Sequence, residues 1–407
     1  MIDAQIDAKN AETKRAENIE YSMSPVSWRE ALRIAFPIWL LSRLWVFAWV
    51  YAGHWDRSPN FAVSESPLRG GYGGVSNWWL NPWTTYDTQW YFQIAQDGYN
   101  ARSVVFFPLY PALLRLGGVD ENAIALWGFA LSNLCFALAL TVFIVLTTRH
   151  FSLTMTKRAA CLLAFFPTAA VWSALYTESL FLLLVLVAFL MLEQKRYFYA
   201  GLAALLVALT RNSGPILWIV FLIEYSMQQK IAPLAWRKRA VHIALLSLPL
   251  LGFIGFQMFA NWRFDDARAM FNAQETFGRA WTWPWLPVWN EIVNLPRGDW
   301  SYVALINLWA TLFGLYFVFR FWRKPSPSYS VFLLGIELSQ LCLGYSRAPF
   351  TLGAIRYLST TFPFVQRLSV WLEPAMQRPL GRFCIAGIVV ATSAQTSYLF
   401  GQKVFLF

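Results

Sequence analysis

Four side chains in this sequence have the chemistry to move a proton or to hold an anion: Asp87, Glu178, Arg211 and Arg356. Asp87 heads the segment Tyr86-Asp87-Thr88-Gln89-Trp90-Tyr91-Phe92-Gln93-Ile94-Ala95-Gln96-Asp97-Gly98. There Trp90, Tyr91 and Ile94 form an apolar face at helical spacing and Gly98 suits a C-cap, so a short helix lying in a membrane interface is expected. A carboxylate at its start either caps the free N–H groups or takes a proton from a hydroxyl, and the two roles are compatible. Glu178 stands at Tyr176-Thr177-Glu178, the tip of an apolar hairpin. It either caps a helix beginning at Ser179 or sits partly desolvated beside a cleft. Arg211 interrupts an apolar stretch together with Asn212, Ser213 and Gly214, residues suited to a helix break. A cation held there needs a carboxylate, with Glu178 the candidate, or an anionic ligand. Arg347 and Arg356 flank the stretch before Tyr357, where an arginine can bind phosphate or snorkel to headgroups. Arg43 and Glu337 fall inside apolar runs, which makes them functional candidates unless they pair with each other.

The elements that must position these groups are apolar helices. Of 407 residues 57% are hydrophobic and 18% aromatic, while only 14% are charged, against about 25% in a soluble domain. No linker divides the chain, so an all-α integral membrane protein is expected, with residues 1–30 a cytoplasmic tail and 31–407 a single polytopic catalytic domain. A spanning helix needs about 20 apolar residues. Long candidates lie at 31–52, 123–147, 240–260, 301–322, 329–345, 357–372 and 383–405. Four shorter ones form two hairpins, 159–175 with 179–192 and 197–210 with 214–225. About 11 transmembrane helices are therefore expected, with re-entrant or interfacial helices in the first outer loop, one of them the Pro-bearing run 106–116. The turns of the short hairpins should lie below one membrane surface, because 14 residues reach only about 21 Å.

The excess of 33 Lys+Arg over 22 Asp+Glu gives a net +11, which in a soluble chain would suggest nucleic acid. Here the basic residues recur in alternate loops, at Arg149, Lys157 and Arg158, at Lys195 and Arg196, at Arg237, Lys238 and Arg239, at Arg323 and Lys324, and at Arg378 and Arg382. The positive-inside rule makes these loops and the N-terminus cytoplasmic, which puts the four chemical groups on the outer face and removes nucleic acid as a partner. The polar first 27 residues lack the apolar run of a cleaved signal peptide, so the first span is expected to act as an uncleaved anchor. Cys135, Cys161, Cys342 and Cys384 make no CxxC pair, and with three histidines they indicate neither a disulfide scaffold nor a structural zinc site. The outer tryptophans, Trp78, Trp79, Trp83, Trp90, Trp262, Trp281, Trp283, Trp285, Trp289 and Trp300, read mostly as an aromatic belt, a minority being free to stack on sugar faces. The Gly-rich Arg69-Gly70-Gly71-Tyr72-Gly73-Gly74 lacks the following Lys-Ser/Thr of a P-loop and reads as a mobile loop.

Several segments, taken in order, resemble the GT-C membrane glycosyltransferases, and among them the family of the second mannosyltransferase of glycosylphosphatidylinositol anchor synthesis. Tyr86-Asp87, Ile94-Ala95 and Gly98-Tyr99 resemble that family's Trp-Asp, Ile-Ala and Gly-Tyr pattern, and Phe107-Pro108-Leu109-Tyr110-Pro111 its following motif. Phe166-Pro167-Thr168, Ser173-Ala174 and Tyr176-Thr177-Glu178-Ser179-Leu180-Phe181 form the nearest likeness; Arg211-Asn212 with Gly214 and Arg356-Tyr357-Leu358 with Phe362-Pro363 complete it. Tyr86 replaces the family's tryptophan, and Trp90 stands where a histidine is common. The chain is also shorter than the anchor-pathway enzymes, which suggests a bacterial relative with a different acceptor.

The resemblance implies transfer of a mannosyl group, or another hexosyl group, from a polyprenyl-phosphate donor to a hydroxyl of a glycolipid, glycan or protein on the extracytoplasmic face of the cell membrane. Asp87 would be the general base, Arg211 and Arg356 would meet the donor phosphate, and Tyr176, Glu178, Trp90 and Tyr91 would contact sugar or acceptor. No cofactor is required, since arginines can stabilise the departing phosphate, and a divalent metal between Asp87 and Glu178 stays open as an alternative. A transporter or flippase of lipid-linked sugars is the competing reading, because broken helices with buried charge also build such sites. A non-catalytic scaffold, the third reading, would have no need of Asp87 or Glu178.

Overall fold

The structure, a computed structural model, describes residues 25–56, 77–231, 233–294, 302–345 and 353–403. The N-terminal tail up to residue 24, the Gly-rich segment 69–74, Trp300 and Arg347 lie outside the described residues. Within them the chain is all-α, with 17 α-helices and one departure, a pair of three-residue strands.

Helix α1 (Trp28–Trp55) starts where the Ser27 side chain accepts from Glu30 N, and α4 (Glu121–Thr147) where Asp120 accepts from Ala123 N. Each cap satisfies a donor that the first turn leaves free. Between them lie the short α2 (Thr88–Asp97) and α3 (Leu109–Arg115). Next come α5 (Leu153–Ala164), α6 (Glu178–Glu193), α7 (Tyr197–Ala208) and α8 (Ile216–Ile231). The bent pair α9 (Trp236–Leu246) and α10 (Leu248–Phe264) follows, with a 43° angle at the break. The chain continues through α11 (Ala269–Thr276), β1 (Arg279–Trp281), α12 (Trp285–Asn294), α13 (Tyr302–Arg320), α14 (Pro327–Leu341), β2 (Leu343–Tyr345), α15 (Ala354–Thr360), α16 (Phe362–Met376) and α17 (Pro379–Gly401). Strands β1 and β2 are antiparallel, with Arg279 opposite Tyr345 and Trp281 opposite Leu343.

Among the described residues three helices, α1, α4 and α17, are long and apolar enough to cross a membrane, and the bent α9–α10 pair makes a fourth if it counts as one span. The expectation of about 11 spans is thereby corrected to three or four. Hydropathy reports burial, and much of the apolar sequence is buried against protein in short or broken helices. Both α6 and α7, for example, are wrapped by neighbours, with Leu182, Val185, Leu186, Ala204 and Val207 fully buried. The segment expected at 159–175 stops as a helix at Ala164 and resumes only as a single turn at Ala169–Trp172. Pro167 breaks it, and the guanidinium of Arg43 binds the carbonyls that the break leaves open: Ala164 O at 3.2 Å and Ala169 O at 3.0 Å, with Ser173 Oγ at 2.9 Å. Arg43 is therefore a buried cap lying over the Phe136 ring. It does not pair with Glu337, which packs against the backbone of α13 where Gly314 leaves room. Trp83, expected in the aromatic belt, is buried among Phe47, Tyr51 and Phe129. By contrast Trp262, Trp281, Trp283, Trp285 and Trp289 are exposed.

Helices α1 and α17 meet through glycine. A Cβ on Gly53 would lie 1.9 Å from Tyr398 O, and one on Gly401 2.0 Å from Val50 O. This close approach carries the end of α17 to Tyr86, whose hydroxyl donates to Lys403 O. Overpacking typically costs about 1–3 kcal/mol, and here the clash is with backbone that cannot rotate away. Gly401→Val is expected to lower the thermal unfolding midpoint of the detergent-solubilised protein by several degrees, and an unchanged midpoint would show that the two helices do not meet at Gly401.

Candidate active site

The site is assembled from helix ends. Tyr86 precedes α2 with φ 53°, a left-handed conformation that costs a tyrosine on the order of 1–3 kcal/mol. The turn that this produces delivers Asp87 already in helical geometry, φ −58° and ψ −24°, with no side-chain cap hydrogen bond. The carboxylate is thus not an N-cap. Its Oδ2 accepts from Arg356 Nη2 at 2.9 Å, while Oδ1 has no partner among the described residues.

Arg356 is the third residue of α15, which starts after Gly353 in a left-handed turn at φ 76°. Its Nε donates to Glu178 Oε1 at 2.5 Å, and its guanidinium lies 4.6 Å from the Tyr176 ring centroid. Glu178 opens α6 directly, one residue before the expected start at Ser179, and receives Arg211 Nη2 at 3.3 Å on the same Oε1. Arg211 leaves the chain at the break between α7 and α8, where Gly214 sits so near Ala208 that a Cβ would meet its Cα at 2.4 Å. Tyr357 lies beneath it, ring centroid 4.7 Å from the guanidinium. A backbone bond from Leu109 N to Leu209 O at 2.9 Å ties the start of α3 to this corner, which brings Phe106 and Phe107 alongside.

These residues surround a cleft of about 150 Å³, whose lining includes Asp87, Tyr91, Arg211, Arg356 and Tyr357 together with Gln274, Phe277, Arg279 and Gln340. One water needs roughly 10–15 Å³ of such space, so the cleft admits a group of about ten heavy atoms, the size of a sugar ring.

Burial alone would raise the Glu178 carboxyl, but Arg356 and Arg211 outweigh it and hold the group below its ordinary range. Burial would likewise lower Arg356, and Glu178 with Asp87 reverses that, so the guanidinium stays charged. Burial would raise the Tyr357 phenol, yet Arg211, Arg279 and Arg356 pull it below its ordinary value despite the nearby Asp87. At the phenol, then, the positive charges prevail; around the cleft the three arginines Arg211, Arg279 and Arg356 stand against the two carboxylates of Asp87 and Glu178.

Asp87, Tyr176, Glu178, Arg211 and Arg356 therefore converge, and Tyr91 lines the cleft. Three expected residues do not line the cleft. Glu178 and Tyr176 are 0% and 3% exposed and hold Arg356. Trp90 packs between Phe106, stacked at 5.8 Å, and Phe277, edge-on at 5.2 Å, and supports the wall without facing the cleft. The guanidinium of Arg356 fills the place between Asp87 and Glu178 in which a divalent ion was considered. Among the described residues no group of three or more His, Cys, Asp or Glu gathers as a metal-binding set.

Sequence reading missed Arg279, Gln274, Phe277 and Gln340. Arg279 reaches the cleft through the β1–β2 pairing, three residues against three some 60 positions apart, which leaves no local periodicity to detect. The one available sign is Gly278, left-handed at φ 71°, turning the chain immediately before it.

No protein family, curated protein or solved structure matches the chain.

Removing one partner of a buried ion pair typically costs about 3–5 kcal/mol, because the other charge is left uncompensated. Arg356→Gln is expected to destabilise the protein by that order and Glu178→Gln/Arg356→Gln by clearly less, as read by denaturant or thermal unfolding. Because the folded carboxyl is depressed, its contribution is full above the ordinary Glu range near pH ~4.3 and disappears only as pH falls through the lower folded value. Equal destabilisation of the single and double variants would show that Glu178 does not depend on Arg356.

Proposed function

We propose that the protein is a membrane glycosyltransferase that moves a mannosyl or other hexosyl group from a polyprenyl-phosphate carrier to an acceptor hydroxyl on a glycolipid, glycan or protein, with Asp87 as general base. One observation carries this reading: the Asp87 side chain, 35% exposed, lines a cleft beside Arg356 and Arg211, whose side chains are 9% and 10% exposed. An oriented carboxylate with a vacant oxygen, set beside a positive anion-sized space, is what substitution at a phosphate-bearing sugar carbon requires.

In the proposed reaction the acceptor O–H loses its proton to Asp87 Oδ1 as oxygen bonds to the anomeric carbon. The bond from that carbon to the phosphate oxygen breaks, and its electron pair leaves with the phosphate. An alcohol is a poor nucleophile near neutral pH, so the base matters. The cations of the cleft stabilise the charge gathering on the phosphate, and they do so more strongly in a partly dry site than in water. Arg356 fixes the direction of Asp87, a positioning contribution. The order of sequence motifs supports the GT-C reading, and the three or four apolar helices support a multi-pass membrane protein. The basic residues before α1 and just after α4 support a cytoplasmic N-terminus, with Asp87, between those two helices, on the outer side.

Asp87→Asn keeps the shape of the side chain and removes its proton affinity. With polyprenyl-phosphate mannose as donor and membrane fractions as acceptor source, transfer is expected to fall by about 10²–10⁴-fold, with donor binding retained. Unchanged transfer would eliminate Asp87 as the base. Movement of the lipid-linked sugar across vesicles without transfer, in wild type and variant alike, would favour a flippase.

A further inference from the structure

The three arginines at the cleft are not equivalent. Arg356 has two of its three nitrogens committed, Nε to Glu178 at 2.5 Å and Nη2 to Asp87 at 2.9 Å, and its flat face covered by Tyr176. Each bond is charge-assisted and holds the fork in one orientation. A phosphate could take both Nη groups of this guanidinium only by displacing Asp87 from Nη2. Arg211 is different. Its contact with Glu178 is longer, at 3.3 Å, and Nη1 is buried without a hydrogen-bond partner among the described residues. The side chain is 10% exposed, and it lines the cleft, as do Asn212, its neighbour in sequence, Arg279 and Gln340. A guanidinium held by one long contact turns toward an anion more readily than one held by two short charge-assisted bonds.

We propose that Arg211 and Arg279, with Asn212 and Gln340, form the anion subsite of the cleft and receive a phosphate monoester or diester, whereas Arg356 is a positioning residue that stays locked between Asp87 and Glu178. This deepens the proposed function by dividing the cations, and it departs from the sequence expectation that Arg356 meets the phosphate. It rests on the glycosyltransferase reading only for the identity of the phosphate's owner. The phosphate could be free or carried by a prenyl chain, and both present the same oxygens to Arg211.

The test is equilibrium binding of inorganic phosphate and of citronellyl phosphate, a short prenyl phosphate, to the full chain in nanodiscs, with no acceptor and no transfer. Arg211→Gln and Arg279→Gln are each expected to weaken citronellyl phosphate at least tenfold. Arg356→Lys, which keeps a charge between Asp87 and Glu178 and leaves Glu178 to Arg211, is expected to hold its affinity within threefold, even if transfer is lost. Arg211→Lys, which keeps the charge without the fork, should fall between wild type and Arg211→Gln, and a normal melting profile for it separates lost binding from lost folding. Tighter binding of citronellyl phosphate than of inorganic phosphate assigns the subsite to a lipid carrier, and equal binding assigns it to the phosphate alone. Loss of binding in Arg356→Lys with retention in Arg211→Gln would overturn the proposal. Intact phosphate binding in a protein that transfers no sugar would overturn the enzyme reading and leave the subsite standing.

Discussion

A single buried guanidinium decides where the ends of three helices lie. Arg356 comes from α15, Asp87 from the entry to α2 and Glu178 from the first turn of α6, and the cation joins two carboxylates 91 positions apart in sequence. In a medium of low dielectric, each charge is tolerable only if the others stay within hydrogen-bond distance. The bridge therefore resists any sliding of α15 along α6, and the cleft inherits its geometry from that resistance. It also keeps one oxygen of Asp87 occupied and turns the other outward.

The rest of the fold follows a related constraint. Irregular backbone inside an apolar body must find internal partners, since no water reaches it. Two buried arginines answer this at two breaks: Arg43 binds carbonyls around the Pro167 break, and Arg367 binds Phe321 O, Lys324 O and Ser330 Oγ past the end of α13. Glycine answers it where backbones touch, at Gly53 and Gly401. These devices let the chain use many short helices in place of long ones, so that its functional groups project from helix ends into one cleft.

What could be read in the sequence divides along the same line. The helical character, the short helix after Asp87, the break at Arg211–Gly214 and the Arg211–Glu178 pairing were legible because each is signalled within a few residues. The number of spans was not, because an apolar run of 16 residues looks alike whether it faces lipid or packs as α6 does against α4 and α7. The cap reading of Asp87 failed because a partner 269 positions away competes for the carboxylate. The division between residues that line the cleft and residues that do not was invisible as well: Tyr176, Glu178 and Trp90 belong to the right neighbourhood but are not part of the lining. Arg279 arrives through a strand pairing whose six residues carry no pattern.

Taken together, a positive cleft walled by aromatic rings and an outward-turned carboxylate describe a place where a phosphate-linked sugar and a hydroxyl could meet. The most direct measurement of that claim is the structure of the full chain in a lipid nanodisc with citronellyl-phosphoryl mannose bound. The account predicts the phosphate within hydrogen-bond reach of Arg211 and the anomeric carbon facing Asp87 Oδ1, with Arg356 still bridging the two carboxylates. A phosphate seated outside the cleft, or a sugar turned away from Asp87, would contradict it.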